Sequence, residues 1–184
     1  MSASLYERVM GDAWSRLDPS VRSVHLHGDV LEAHGTFEVT HGRNSLARLI
    51  NTLTGMPRPS PAQSIHLTIL KKGDGEQWVR RFGDHRLASY QEALSGNILA
   101  ERFGPLEFWF ALSAENGSLI YRQQAANLKL GPLRIRLPRW VAPLTVASEK
   151  PGPTGSAQIS IRVSVPFIGD QLSYGGTLAP VSAR

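Results

Sequence analysis

The stretch AQISIRVSV, residues 157–165, decides the fold class. Ala157, Ile159, Ile161, Val163 and Val165 alternate with Ser160, Arg162 and Ser164, the period-two pattern of a strand with one dry and one wet face. Ile159, Ile161, Val163 and Val165 are expected to be buried together and Ser160 and Arg162 to face solvent. A one-residue slip would expose the whole apolar set.

The same period recurs on both sides of this strand. Downstream, Ile168-Gly169-Asp170 turns, Leu172, Tyr174 and Leu178 lie on a last strand, and VSAR reads as a frayed tail. Upstream come a short strand at 144–149 and a corner at Trp140 to Pro143. Before them Leu133, Ile135 and Leu137 alternate with Arg134 and Arg136, which predicts one wet face. Gly131-Pro132 turns, residues 118–129 form a strand, and Glu115-Asn116-Gly117 is a hairpin signal. Leu106, Phe108, Phe110 and Leu112 share a face of a strand at 105–113. Residues 86–92 and 76–82 read as strands. Lys72-Gly73-Asp74-Gly75 joins the latter to Ile65, Leu67 and Ile69 as a hairpin. Leu94 to Ala100 gives no clear pattern. A strand at 29–40 places Leu31, Ala33, Phe37 and Val39 on one face, with Gly35 read as a bulge.

Helices are predicted at 3–17, capped by Ser2 or Ser4 with Leu5, Val9, Trp14 and Leu17 inward, and from Pro19 to Val24. A third, SLARLINTL, is capped by Asn44, stopped by Gly55, and striped by Leu46, Leu49, Ile50 and Leu53. The chain is therefore mainly β (α+β). An antiparallel meander of about 8–10 strands must curl or close to hide its apolar face and its edges. The expectation is a closed or half-closed, calycin-like or lipocalin-like barrel, with N-terminal helices at 3–25 and one helix after the first strand. It forms one domain over 1–184, with a β-rich body at 29–179.

With 184 residues, 41% apolar and 19% charged, the chain is long enough for a sizeable core and too apolar for disorder. Its net charge of +5 is scattered, which favours a generally basic surface over a nucleic-acid footprint. The absence of cysteine excludes disulfides, thiolate metal sites and cysteine nucleophiles. MSASLYERVMGDAW carries acids, unlike a signal peptide, and no apolar run is long enough to span a bilayer. A cytoplasmic protein without membrane insertion is expected.

No phosphate loop and no G-x-S-x-G elbow are present. His25-Leu26-His27 would set two imidazoles on one side of a strand, a metal half-site that His34, His41 or His66 could extend. No acid is spaced to complete it, so surface histidines, no metal and no cofactor are expected. The richest segment is EQWVRRFGDHRLASYQEALSGNILAERFGPLEFWFAL, residues 76–112, in which Arg-Phe-Gly occurs twice. Arg80 and Arg81 point to opposite faces of one strand, so a curled sheet takes one of them inside. An interior arginine needs a carboxylate, here Glu101 or Glu149, or a ligand anion, and the ion pair is the favoured reading. Glu76, Glu101 and Glu107 are acid–base candidates. The candidate ligand-binding set is Trp78, Arg80, Arg81, Phe82, Tyr90, Glu101, Arg102, Phe103, Phe108, Phe110 and Trp140, against the competing reading that the aromatics are core.

LYERVMGDAW, GMPRP, EQWVRRFG, ERFGPLEFWFAL, LPRWVAP and LSYGGTL, in that order, resemble a bacterial family, domain of unknown function 4166, over nearly the whole chain. The resemblance implies a bacterial cytoplasmic module that occurs alone or joined to oxidoreductase or membrane segments, with an oxidoreductase as fusion or partner, and implies no activity. Three functions are compatible with these residues. The first is a barrel binding an apolar or aromatic small molecule through an interior arginine. The others are a cyclase-type enzyme acting by orientation in the same barrel, and a protein-interaction module. An interior cavity favours the first two, and a filled interior the third.

Overall fold

The structure is a computed structural model describing residues 3–26, 28–53 and 55–183. The chain enters through α1 (Leu5–Met10), a 3-10 turn over Gly11–Arg16, and α2 (Pro19–Ser23). Ser4 caps α1 in a reciprocal box with Glu7, and Asp18 caps α2 with Pro19 at its first position. The expected helix at 3–17 is thus a short α-helix tightened into 3-10 geometry. Its predicted inward residues, Leu5, Val9, Trp14 and Leu17, are all buried.

Eleven strands follow among the described residues: β1 (Val30–His41), β2 (Ser60–Lys72), β3 (Gly75–Phe82), β4 (His85–Leu94), β5 (Ile98–Phe103), β6 (Leu106–Glu115), β7 (Ser118–Leu130), β8 (Leu133–Arg136), β9 (Leu144–Pro151), β10 (Ala157–Val165) and β11 (Gly169–Ala183). Neighbours pair antiparallel from β1 to β6. β6 pairs with β7, β7 with β9, and β9 through β10 and β11 back to β1, which closes a ten-stranded barrel. Closure removes the sheet edges that an open meander of alternating strands would leave. The segment without a clear pattern, 94–100, is a tight turn through Gly96 and Asn97, both at positive φ, into β5.

Gly35 is not a bulge. Ala33, Gly35 and Phe37 stay in phase, and the register shifts of β1 fall between Glu32 and Ala33 and between Phe37 and Val39. A Cβ on Gly35 would lie 1.9 Å from the Thr177 carbonyl oxygen, and one on Gly176 would lie 2.0 Å from that of Thr36. These glycines let β1 and β11 approach where the sheet bends shut.

β8 lies outside the ring. It pairs only with the second half of β7, Asn127–Leu130, while β9 takes the first half, Leu119–Arg122. All four β8 residues are exposed, so the expected dry face is absent. Beyond Arg122 the seam between β7 and β9 is sewn by one side chain. Thr145 N–H donates to Gln123 Oε1 (2.7 Å) and Gln123 Nε2 donates to the Pro143 carbonyl (2.8 Å).

α3 (Ser45–Leu53) covers the end of the barrel opposite α1 and α2. Asn44 caps it, and Gly55 ends it at positive φ. Its buried face is Ala47 and Asn51, with Ile50 half-buried. Leu46 and Leu49 of the expected stripe are exposed, and the Leu53 side chain lies outside the description. The expected frayed tail is instead strand as far as Ala183, which stands opposite Leu31.

Candidate functional site

The barrel interior contains a cavity of about 330 Å³. Strand parity assigns its walls. Ile159, Ile161, Val163 and Val165 of β10 line it, with Ser160 and Arg162 exposed as alternation requires. Ile159 is buried, but the other three are half-buried because they border a cavity and not packed side chains. Ile50 and Met56 from α3 and the turn after it, and Pro143 and Val165, border it at the α3 end, the mouth. Tyr6 and Val24 from the N-terminal helices close the other end, the floor.

Of the two strand arginines, Arg80 is the inward one, sharing parity with Trp78 and Phe82, and Arg81 is exposed. Arg80 Nη2 donates to Glu101 Oε1 at 3.1 Å and Nη1 to Ser89 Oγ at 2.9 Å. Ser89 Oγ donates to the same Glu101 oxygen at 2.7 Å. The guanidinium lies 5.0 Å from the Trp78 ring and 5.8 Å from that of Phe103, as a cation between two aromatic faces. Burial lowers the tendency of Arg80 to stay charged, and the Glu101 carboxylate more than reverses this, holding its pKa above the ordinary guanidinium value.

The floor is polar in a way the sequence does not announce. Tyr6 donates to Gln91 Oε1 at 2.8 Å and Tyr121 to Glu149 Oε1 at 2.6 Å, leaving the two hydroxyl oxygens 3.1 Å apart. The other oxygen of Glu149 meets His25 Nε2 at 2.8 Å, and the His25 ring stacks on Tyr6 at 3.8 Å between centroids. Burial pushes both tyrosines well above the usual phenol range, and the Glu149 charge adds to it. Burial also works against the Glu149 charge. His25, the Tyr121 hydroxyl and Arg80 outweigh it and hold the carboxyl below its usual range. His25 Nδ1 is buried with no hydrogen-bond partner among the described residues.

The sequence-predicted set divides accordingly. Trp78, Arg80, Glu101, Phe103, Phe108 and Phe110 meet at the cavity. Phe82 is packed within the core against Phe37 and Tyr174. Arg81 lies outside, as do Tyr90 and Arg102, which stack on one another at 5.5 Å on the outer face of β4 and β5. Trp140 sits exposed in the 138–143 corner. Glu107 is buried on the outer face of β6, where it holds Arg134 of β8 (Nε to Oε1, 2.7 Å) and Trp109. It therefore pins the extra strand and does not reach the cavity. Glu76 accepts from Trp78 Nε1. His25 is neither on a strand nor at the surface, and His27 lies outside the described residues. His34 and His66 stack across β1 and β2, and His41 binds the Pro57 carbonyl. Among the described residues no group of acids and histidines could hold a metal ion.

Sequence reasoning missed Tyr6, Gln91 and Tyr121, and saw Glu149 only as a possible arginine partner. The one available signal was parity. Gln91 and Tyr121 interrupt the apolar face of their strands, alongside Leu87 and Leu119, where a polar group must find partners.

The family described as Domain of unknown function (DUF4166) matches residues 17–178. No curated protein and no solved structure matches the chain.

Proposed function

From the premise that this chain belongs to the DUF4166 family, we propose that its barrel is a receptor for one apolar or aromatic small molecule with a neutral hydrogen-bonding end. The observation that carries this is the cavity, with aliphatic and aromatic walls and an arginine inside. Its volume of about 330 Å³ falls within the range of small-ligand sites. Arg80 uses two N–H bonds of the five a guanidinium offers, on Ser89 and Glu101. Its charge is already balanced by Glu101, so the remaining donors suit a carbonyl or hydroxyl better than a carboxylate, which Glu101 would repel. A filled interior would have favoured the protein-interaction reading; the cavity supports a ligand.

A second reading draws on the floor. Tyr6, Tyr121 and the Glu149–His25 pair could relay a proton to a folded substrate in the manner of a cyclase, with orientation supplying most of the rate.

The test is titration with N-phenyl-1-naphthylamine, a neutral aromatic probe that brightens in apolar surroundings. Saturable binding at one site per chain is expected. Val163→Trp, which fills the cavity, should abolish it with the fold intact, and Arg80→Met should weaken it. Equal binding by the Val163→Trp protein, or no saturable binding, would overturn the reading.

A further inference from the structure

The mouth carries a surface that the cavity alone does not require. α3 and the β10–β11 turn share this rim. Asn44 Nδ2 donates to the Ile168 carbonyl at 3.4 Å, and Asn51 Nδ2 donates to that of Gln171 at 2.8 Å. Leu144 stands opposite Ser164, which brings the 138–143 corner to the same end. On this rim Phe167 is 91% and Trp140 65% exposed, and Leu46, Leu49 and Leu144 are exposed too. Phe167 has φ of +66°, which a bulky aromatic rarely adopts, so the turn holds that side chain out against local preference.

Arginine outnumbers acid on this rim. Residues 41–60 contain Arg43, Arg48 and Arg58 and no acid, and residues 131–144 contain Arg136 and Arg139 besides Arg134, whose charge Glu107 already meets. Arg43, Arg48, Arg58 and Arg139 are exposed. Against these stand two exposed acids, Asp170 beside the β10–β11 turn and Asp84 in the β3–β4 turn. A face-to-face pair of chains would set two arginine rims against each other, which disfavours a second copy as the occupant. Projecting aromatics and leucines ringed by arginine match the interface of an anionic bilayer, where apolar tips enter the acyl boundary and guanidinium groups meet phosphates.

We infer that the mouth rim docks on an anionic lipid bilayer, with Phe167, Trp140, Leu46 and Leu49 inserted and the arginines against the headgroups. This is peripheral docking: among the described residues no helix is long and apolar enough to cross a membrane. It stands apart from ligand binding, but if both hold, the cavity opens toward a reservoir of apolar molecules.

The experiment is co-sedimentation of the full chain with vesicles of phosphatidylcholine alone and of phosphatidylcholine mixed with phosphatidylserine. Binding to the mixed vesicles is expected, weak binding to the neutral ones, and release as salt is raised. Phe167→Asn, which suits the turn, combined with Leu49→Gln should remove binding. Arg48→Gln with Arg139→Gln should weaken it by on the order of tenfold or more. Val181→Gln, an exposed apolar residue at the floor end, should leave it unchanged. Melting curves establish that each variant is folded. No binding to mixed vesicles at low salt, equal binding by the Phe167→Asn/Leu49→Gln protein, or an equal loss with Val181→Gln would each overturn the proposal. So would self-association that the rim variants abolish, without vesicle binding. Probe binding by the Val163→Trp chain is a separate readout, so either idea can fail alone.

Discussion

Replacing Arg80 by methionine tests whether the interior is organised by charge. Arg80 and Glu101 side chains are 11% and 12% exposed, and this residue of surface borders the cavity. Bulk solvent therefore screens the pair little. Methionine preserves most of the aliphatic stem and loses the guanidinium that lies over Trp78 and Phe103. It removes the partner of Glu101, which keeps only the Ser89 hydroxyl, 2.7 Å away. Leaving one charge of a buried pair costs about 3–5 kcal/mol. For a chain of this length, each kcal/mol lowers Tm by roughly 2–4 °C, so a fall on the order of 10 °C is expected. Arg80→Met with Glu101→Leu should regain most of that loss, because both charges then leave together. Urea unfolding separates the cost from a change in compactness, since the midpoint should move and the slope should not. If Arg80→Met melts within about 1 kcal/mol of the parent chain, the pair does not organise the interior. A double variant less stable than either single one would refute the electrostatic account and leave packing as the cause.

Three further outcomes follow from the floor and from barrel closure. The folded chain keeps the protons of Tyr6 and Tyr121 to higher pH than the unfolded chain does. Their contribution is complete below the ordinary phenol value of 10.0 and is lost as pH climbs above it, so the urea midpoint should fall there. Tyr121→Phe should flatten that fall. Glu149 acts in the opposite direction, stabilising above 4.5 and losing its contribution as pH drops below. Gly35→Ala places a Cβ 1.9 Å from the Thr177 carbonyl and should destabilise by about 3 kcal/mol or more, read by thermal melting. A melt like that of the parent chain would mean that β1 and β11 separate without cost.

Alternation carried the architecture because a strand's dry face is a local property. The parity that buries Ile159 also separates Arg80 from Arg81, but the sequence left open which of them turns inward, and the structure places Arg80 there. What alternation cannot report is what covers a face. Leu133 and Ile135 alternate like a barrel strand, yet β8 leaves the ring after β7 divides between two partners. Leu46 and Leu49 form a helical stripe, yet the face that meets the barrel carries Ala47 and Asn51, whose small size and buried amide do not read as apolar. The floor lay further out of reach. Tyr6 and His25 meet Gln91, Tyr121 and Glu149 only because the N-terminal helices plug the barrel. Contacts 85 and 124 residues apart leave no periodic trace in one sequence. Tyr90, Arg102 and Trp140 were grouped by closeness in sequence and by chemistry. Parity would have placed Tyr90 and Arg102 outside, since each is one step from an inward neighbour.

The ring has one more consequence, for the order of assembly. Pairings from β1 through β7 join consecutive strands, by short turns everywhere except between β1 and β2, where α3 intervenes. The bond that shuts the ring joins β1 to β11, about 140 residues away along the chain. A chain leaving the ribosome can zip its hairpins early. It must then carry the free edges of β1 until Gly169–Ala183 has been made. Until then the nascent sheet presents two unpaired edges, at β1 and at its growing end, and is open to pairing with another chain.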